Sequence, residues 1–194
     1  FAALKSDGSV VTWGSVRPDG EDHGGDSSAV AAQLTSGVTA VFATDSAFAA
    51  LKEDGSVLTW GDEDDGGDSS EVAEQLSSGV SSIVSNQGAF AALKSDGSVV
   101  TWGPFYLGGD SEEVALQLMA DVRVIVPSNV GFAALKTDGS VVSWGGGADS
   151  SAVAAQLASG VSSIVATQAA FAALKEDGSV VTWGSMNSGG DSSA

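Results

Sequence analysis

The chain has no cysteine, a single histidine, three prolines and only seven basic residues against 25 acidic ones. Lack of cysteine excludes a disulfide framework and thiol chemistry. His23, in the loop PDGEDHGGD, has no second histidine or cysteine with which to build a transition-metal site, and it reads as an exposed loop residue. A Ser-His-Asp set is not expected beside so variable a loop. The shortage of Lys and Arg leaves a formal charge of −18, which repels nucleic acid and anionic membrane, since both are bound chiefly by cations neutralising phosphate. No apolar run approaches the ~20 residues needed to span a bilayer, so membrane insertion is not expected. There is also no initiating Met, and residue 1 falls inside a repeat, so the expectation is a window of a longer chain.

What is present is apolar and periodic. Hydrophobic residues make up 43% of the chain, enough to rule out disorder. The stretch FAALKEDGSVLTWG, Phe48 to Gly61, has near-copies beginning at Phe1, Phe90, Phe132 and Phe171. Asp54-Gly55 between two apolar runs is a strong hairpin signal. A two-residue turn centred there sets Lys52 opposite Val57, Leu51 opposite Leu58, Ala50 opposite Thr59 and Ala49 opposite Trp60. One face then carries Ala49, Leu51, Leu58 and Trp60. The other carries Phe48, Ala50, Lys52, Val57 and Thr59. Both are apolar enough to be covered, and the alanines leave room for a Trp or Phe from a neighbouring sheet.

A second block precedes each later hairpin: VAAQLTSGV from Val30, VAEQLSSGV from Val72, VALQLMADV from Val114 and VAAQLASGV from Val153. Each of these valines stands 30 positions before the next Trp, whereas the Trp-to-valine distance runs 17, 12, 12 and 9. All length variation therefore sits in one connector per repeat. GDSSEVAEQLSSG has the punctuation of a short helix, with Asp68 as N-cap, Glu71 completing a capping box and Gly79 as the stop; Asp110 and Glu113 repeat the box. Val72 and Leu76 would dock it on the sheet, and the β-branched VSSIVS after Gly79 reads as a strand. In the third copy Asp121 replaces the stop glycine, and Pro127 predicts that its first strand ends or bulges there.

Three strands and a short helix every 42 residues or so, apolar on both faces, fit blades of a β-propeller; an open β-rich solenoid is the alternative. The pattern LK-x-DGSVVTWG followed by a Gly-rich loop resembles the regulator of chromosome condensation repeat, in which a strand ends in an aliphatic-Leu pair, turns at Asp-Gly and closes on Trp-Gly. The resemblance covers all five hairpins and implies a propeller, commonly of seven blades. The chain departs from it at the family's His, here Phe48, Phe90, Phe132 and Phe171, and at its Gly-Gln-Leu-Gly, here Gly-Gly-Asp-Ser as at Gly66 to Ser69. The nucleotide-exchange and chromatin-binding activity of the best-known member does not carry over to so acidic a chain. Secreted bacterial relatives, including an inhibitor of β-lactamase, are the closer comparison. The repeats are expected at 1–29 (partial), 30–71, 72–113, 114–152 and 153–194, forming one repeat domain.

Candidate functional residues lie in the connectors, because insertions in repeat proteins fall on one face, often the binding face. These are residues 14–29, 61–71, 103–113 and 145–152, with Arg17, His23, Phe105, Tyr106 and Leu107 as candidate contacts. Asp62, Asp64 and Asp65 are weak candidates for Ca²⁺, a hard cation that takes carboxylates on a tight turn. The five Trp residues could stack on sugars, but their identical place beside Gly reads as core. No catalytic set emerges. The function expected is a non-enzymatic interaction or scaffold module of a large secreted or cell-surface bacterial protein, with a protein or surface glycan as partner and further repeats packed beside it. The alternative is a secreted ligand-binding or inhibitor propeller acting through its loops.

Overall fold

The computed structural model describes residues 1–14 and 24–192. Its strands form antiparallel meanders whose order in each sheet follows the chain. The first sheet has two strands, β1 (Ala2–Leu4) and β2 (Val10–Thr12). The second is β3 (Val38–Ala43), β4 (Ala47–Lys52) and β5 (Val57–Gly61). The third is β6 (Val80–Ser85), β7 (Phe90–Lys94) and β8 (Val99–Trp102). The fourth is β9 (Val122–Pro127), β10 (Gly131–Lys136) and β11 (Val141–Gly145). The fifth is β12 (Val161–Ala166), β13 (Ala170–Lys175) and β14 (Val180–Gly184).

The hairpins correct the expected register by one residue. Lys52 N–H donates to Ser56 O at 2.9 Å and Gly55 N–H to Lys52 O at 3.0 Å, so the loop has three residues and ends in left-handed Gly55 (φ +77°). This is a type I turn followed by a bulge, not the two-residue turn that Asp-Gly favours. Asp54 explains the choice: its Oδ1 accepts both the Ser56 N–H (3.0 Å) and the Ser56 hydroxyl (2.6 Å), an arrangement that needs Ser after Gly. Leu51 consequently faces Val57, and Phe48 faces Trp60. One slip moves every pairing to the other set of side chains. Each sheet thus has a bulky face, carrying Phe and Trp, and a small face, carrying Ala and Leu.

The bulky face of each of the four later sheets packs on the small face of the sheet before it. In one such interface Ala47, Ala49 and Leu51 of the second sheet meet Ile83, Phe90, Val100 and Trp102 of the third. Ala91 meets Phe132 and Trp144 in the next, and Ala133 and Leu135 meet Phe171 and Trp183 in the last. The alanines are fully buried, which lets neighbouring sheets approach closely enough to enclose an aromatic pair. Each buried indole is stacked on the Phe of its own hairpin, with centroids 5.0–5.4 Å apart.

The first strand of every three-stranded sheet carries a bulge near its start, where pairing jumps from Val80↔Lys94 to Ser82↔Leu93. The hydroxyl at the skipped position (Thr39, Ser81, Ser162) donates to the carbonyl of the repeat's Leu, as Ser81 does to Leu93 O at 2.9 Å. In the third copy Arg123 stands there and reaches across to Ser162 O at 2.9 Å. Pro127 is the last residue of β9, in keeping with the expectation that the strand stops at it.

The expected helix is a correction too. Residues 70–72, 112–117 and 151–153 form 3-10 turns, and among the described residues only Ala154–Leu157 is α-helical, for a single turn. Even with Ala, Leu, Gln and Glu, two turns are too short to hold an α-helix in isolation. No side chain caps these turns; the Asp68 carboxylate instead accepts the Ser70 N–H at 2.8 Å, tightening the approach. Leu76 is nonetheless buried, and Lys94 Nζ donates to the Gln75 carbonyl at the end of the segment at 2.7 Å. Lys52, Lys136 and Lys175 do the same in their own repeats, which accounts for most of the chain's few cations.

Adjacent sheets are also joined through backbone. Val80 N–H donates to Gly55 O, Val122 to Gly97 O and Val161 to Gly139 O, each at 3.0 Å. At the opposite end a second ladder runs from Asp45 N–H to Gln87 O, Gln87 N–H to Asn129 O and Asn129 N–H to Gln168 O. These turns line one open hollow of about 560 Å³.

Candidate interaction site

Arg17 and His23 lie outside the described residues. The remaining candidates lie in the connectors that follow Trp-Gly, and the fold brings neighbouring connectors together. The chain leaves β5 at Gly61 and β8 at Trp102, and between the two loops runs an open groove of about 1210 Å³. Phe105–Leu107 forms a 3-10 turn ended by left-handed Gly108, and the structure divides the three candidates. Leu107 is buried, and its carbonyl accepts the Asn86 side-chain amide at 2.6 Å, so it anchors the loop. Phe105 and Tyr106 are 75% and 57% exposed, packed edge to face at 5.5 Å. Tyr106 O accepts the Gly146 N–H, which ties this loop to the next one. Phe105 stands on the ridge between the main groove and a smaller one of about 580 Å³.

Sequence reading missed a third contributor. Met119, 66% exposed, lines the same groove from the segment preceding β9. The other copies place Thr35, Ser77 and Ala158 at this position, so the signal was present as a departure from the repeat.

The walls are acidic. Glu63, Asp64, Glu71, Asp96 and Glu112 line the groove, and among its described lining residues Lys94 is the single base, already directed at Gln75 O. The Ser98 hydroxyl and N–H, hydrogen-bonded to Asp96, hold its carboxyl below the usual range, so it stays ionised into acid. The arrangement is an anionic trough with three exposed soft or aromatic side chains, which suits a cationic, partly apolar segment.

Of the calcium candidates, Asp62 uses its carboxylate in local structure, whereas Asp64 and Asp65 take part through backbone groups. Asp62 caps the 3-10 turn Glu63–Asp65 by accepting the Asp64 N–H at 2.9 Å, and Asp65 O accepts the Thr44 hydroxyl at 2.9 Å. Among the described residues no three acidic or histidine side chains are grouped so as to hold a metal ion. Trp60, Trp102, Trp144 and Trp183 are buried, with the first three indoles donating to the carbonyls of Gly24, Gly66 and Gly108. Trp13 differs, at 52% exposed.

Small meander sheets stacked face to face and presenting their variable loops together define a propeller-type repeat fold. The fold is RCC1-like. The chain is similar to Prp20p from Saccharomyces cerevisiae (18% identity, TM-score 0.51, 76% of this chain and 44% of that one). It is similar also to the ectodomain of the Physcomitrella patens receptor kinase CR4 (18%, 0.50, 76% and 39%) and to human WBSCR16 (19%, 0.50, 76% and 47%). The chain spans less than half the length of each. No protein-family model matches it, and no curated protein sequence does.

Proposed function

We propose that this chain is a non-enzymatic protein-interaction module of a secreted or cell-surface protein, of bacterial type, that binds a cationic segment of a protein partner in the groove between its second and third connectors. The observation that carries the reading is the exposed Phe105–Tyr106 pair beside Met119, set among carboxylates in the groove between adjacent connectors. Solvent-exposed aromatics with acidic neighbours are the composition from which interface anchors for Lys and Arg are made. Protein binding fits the similarity to Prp20p, the yeast RCC1, which binds Gsp1p and histones and also binds Kap60. The low count of Lys and the abundance of Asp, Ser and Gly support an extracellular setting.

The test is a titration with a Lys/Arg-rich peptide containing one aromatic residue, run at low and moderate salt, against the wild-type chain and the charge-neutral double variant F105A/Y106A. The reading expects the double variant to bind at least tenfold more weakly at moderate salt. Equal affinity would mean that the peptide senses only the net charge, and would overturn the assignment of the groove.

A further inference from the structure

Sulfur is scarce in this chain, which has no cysteine and two methionines, Met119 and Met186. With no thiolate to react first, a mild oxidant finds its most reactive side chains in those two thioethers. Met119 is 66% exposed and lines the groove together with Phe105 and Tyr106, the single thioether among the groove's described lining residues. Met186 follows β14 and is not part of that lining. The repeat does not require sulfur at position 119, where the other copies carry Thr35, Ser77 and Ala158. Structural anchorage lies one residue earlier. Leu118 is 2% exposed, its N–H donates to the carbonyls of Val114 and Ala115 at 3.2 and 3.0 Å, and its own carbonyl accepts the Val99 N–H at 2.9 Å. Chemistry on the Met119 sulfur therefore alters the groove without touching the packing between repeats.

We propose that Met119 is an oxidation site that sets the groove's affinity: a peroxide converts its thioether to the sulfoxide, and the sulfoxide weakens docking of the cationic, partly apolar segment, a role that rests on the groove being the binding surface. The sulfur lone pair attacks one peroxide oxygen, the O–O bond breaks and an S–O bond forms. Sulfur is oxidised, and hydrogen peroxide is reduced to water as the second oxygen leaves with both protons. The thioether offers a polarisable apolar contact to an aromatic or aliphatic side chain of the partner. The sulfoxide puts a hydrated acceptor in the same place, and docking must strip that water with no donor from the partner's apolar part to replace it. Net charge does not change, so Glu63, Asp64, Glu71 and Glu112 go on attracting the partner from a distance. Oxidation acts on the close contact and leaves the electrostatic attraction intact. Reduction of the sulfoxide by a methionine sulfoxide reductase restores the side chain, which makes the change reversible.

The test uses the Lys/Arg-rich peptide with one aromatic residue and the chain carrying M186L, so that Met119 is the one oxidisable thioether. Treatment with dilute hydrogen peroxide is expected to add a single oxygen, located on Met119 by mass spectrometry. The oxidised chain is expected to bind the peptide roughly fivefold more weakly, with the same dependence on salt and an unchanged melting temperature. Methionine sulfoxide reductase should restore the affinity. The double variant M119L/M186L should show no difference between its own treated and untreated forms. Oxidised chain that binds as tightly as reduced, while F105A/Y106A still weakens binding, would overturn the oxidation site and leave the groove standing. Binding that F105A/Y106A does not affect would overturn both. A Met119 that stays reduced, a loss of affinity that comes with a lower melting temperature, or an equal loss in treated M119L/M186L would also overturn the proposal.

Discussion

Phe90 and Trp102, directly opposite each other on β7 and β8, stack with centroids 5.0 Å apart and planes 15° from parallel. The pair is covered by Ala47, Ala49 and Leu51 of the preceding sheet, so a single aromatic pair joins hairpin register to sheet packing. Replacing Phe90 by Ala empties a site that is fully enclosed, at a cost of ~3–5 kcal/mol. Phe105→Ala, on the exposed loop, should stay within about 0.5 kcal/mol. Urea denaturation of the two variants checks the contrast.

The indole nitrogens give a finer comparison. Trp102 Nε1 donates to Gly66 O at 3.1 Å, whereas Trp183 Nε1 is buried with no partner. The connector before Trp183 is three residues shorter than the one before Trp102, 9 positions against 12 from Trp to valine, and no glycine carbonyl reaches it. Trp102→Phe loses a buried hydrogen bond and leaves a carbonyl unpaired, so it should cost ~1–2 kcal/mol more than Trp183→Phe. Equal losses in thermal denaturation would contradict the assignment of that bond.

Asp121 is the one described non-glycine residue with positive φ (67°), in a place where Gly37, Gly79 and Gly160 adopt 73–77°. A Cβ at Gly79 meets nothing closer than 3.5 Å, so the site has room and the penalty is conformational alone. Asp121→Gly removes a left-handed strain of about 1–2 kcal/mol, partly offset by the entropy that glycine adds to the unfolded chain. A net gain of roughly 0.5–1 kcal/mol is expected, read as a higher urea midpoint with unchanged slope.

Five hairpin aspartates should govern the acid limb of stability. The Ser9 hydroxyl and N–H lower the Asp7 carboxyl to about 2, and Asp54, Asp96, Asp138 and Asp177 are lowered in the same way by Ser56, Ser98, Ser140 and Ser179. A carboxyl with a folded value below its unfolded value of about 3.9 contributes stability above that pH and loses it as pH falls through the folded value. Melting temperature should therefore decline from about pH 4 towards pH 2. Asp96→Asn should flatten that decline while leaving the curve above pH 5 nearly parallel to wild type; a decline of unchanged steepness would sink this account of the turn.

These particulars also show what the sequence could disclose. The repeats, the strand after Gly79, the stop at Pro127 and the burial of most Trp residues were legible, because periodicity and turn chemistry are local. Register was not: Asp-Gly favours a two-residue turn, and only the double hydrogen bond from Ser56 to Asp54 selects the three-residue loop. The helix failed for a related reason, since Asp68 and Glu71 imitate a capping box although Asp68 closes a tighter turn with Ser70. In the candidate site Phe105 and Tyr106 could be singled out as apolar residues in a connector. That Leu107 turns inward, and that Met119 joins the groove from 14 residues away, depends on packing between repeats that a linear reading does not contain.

The central claim is that the hairpins are scaffold and the connectors after Trp-Gly carry recognition. Hydrogen exchange with and without the Lys/Arg-rich peptide tests it most directly. Slower exchange confined to residues 61–71 and 103–121, with the strands Phe90–Lys94 and Gly131–Lys136 unchanged, is the predicted footprint. Protection centred on the repeated hairpins, with the connectors unaffected, would contradict it.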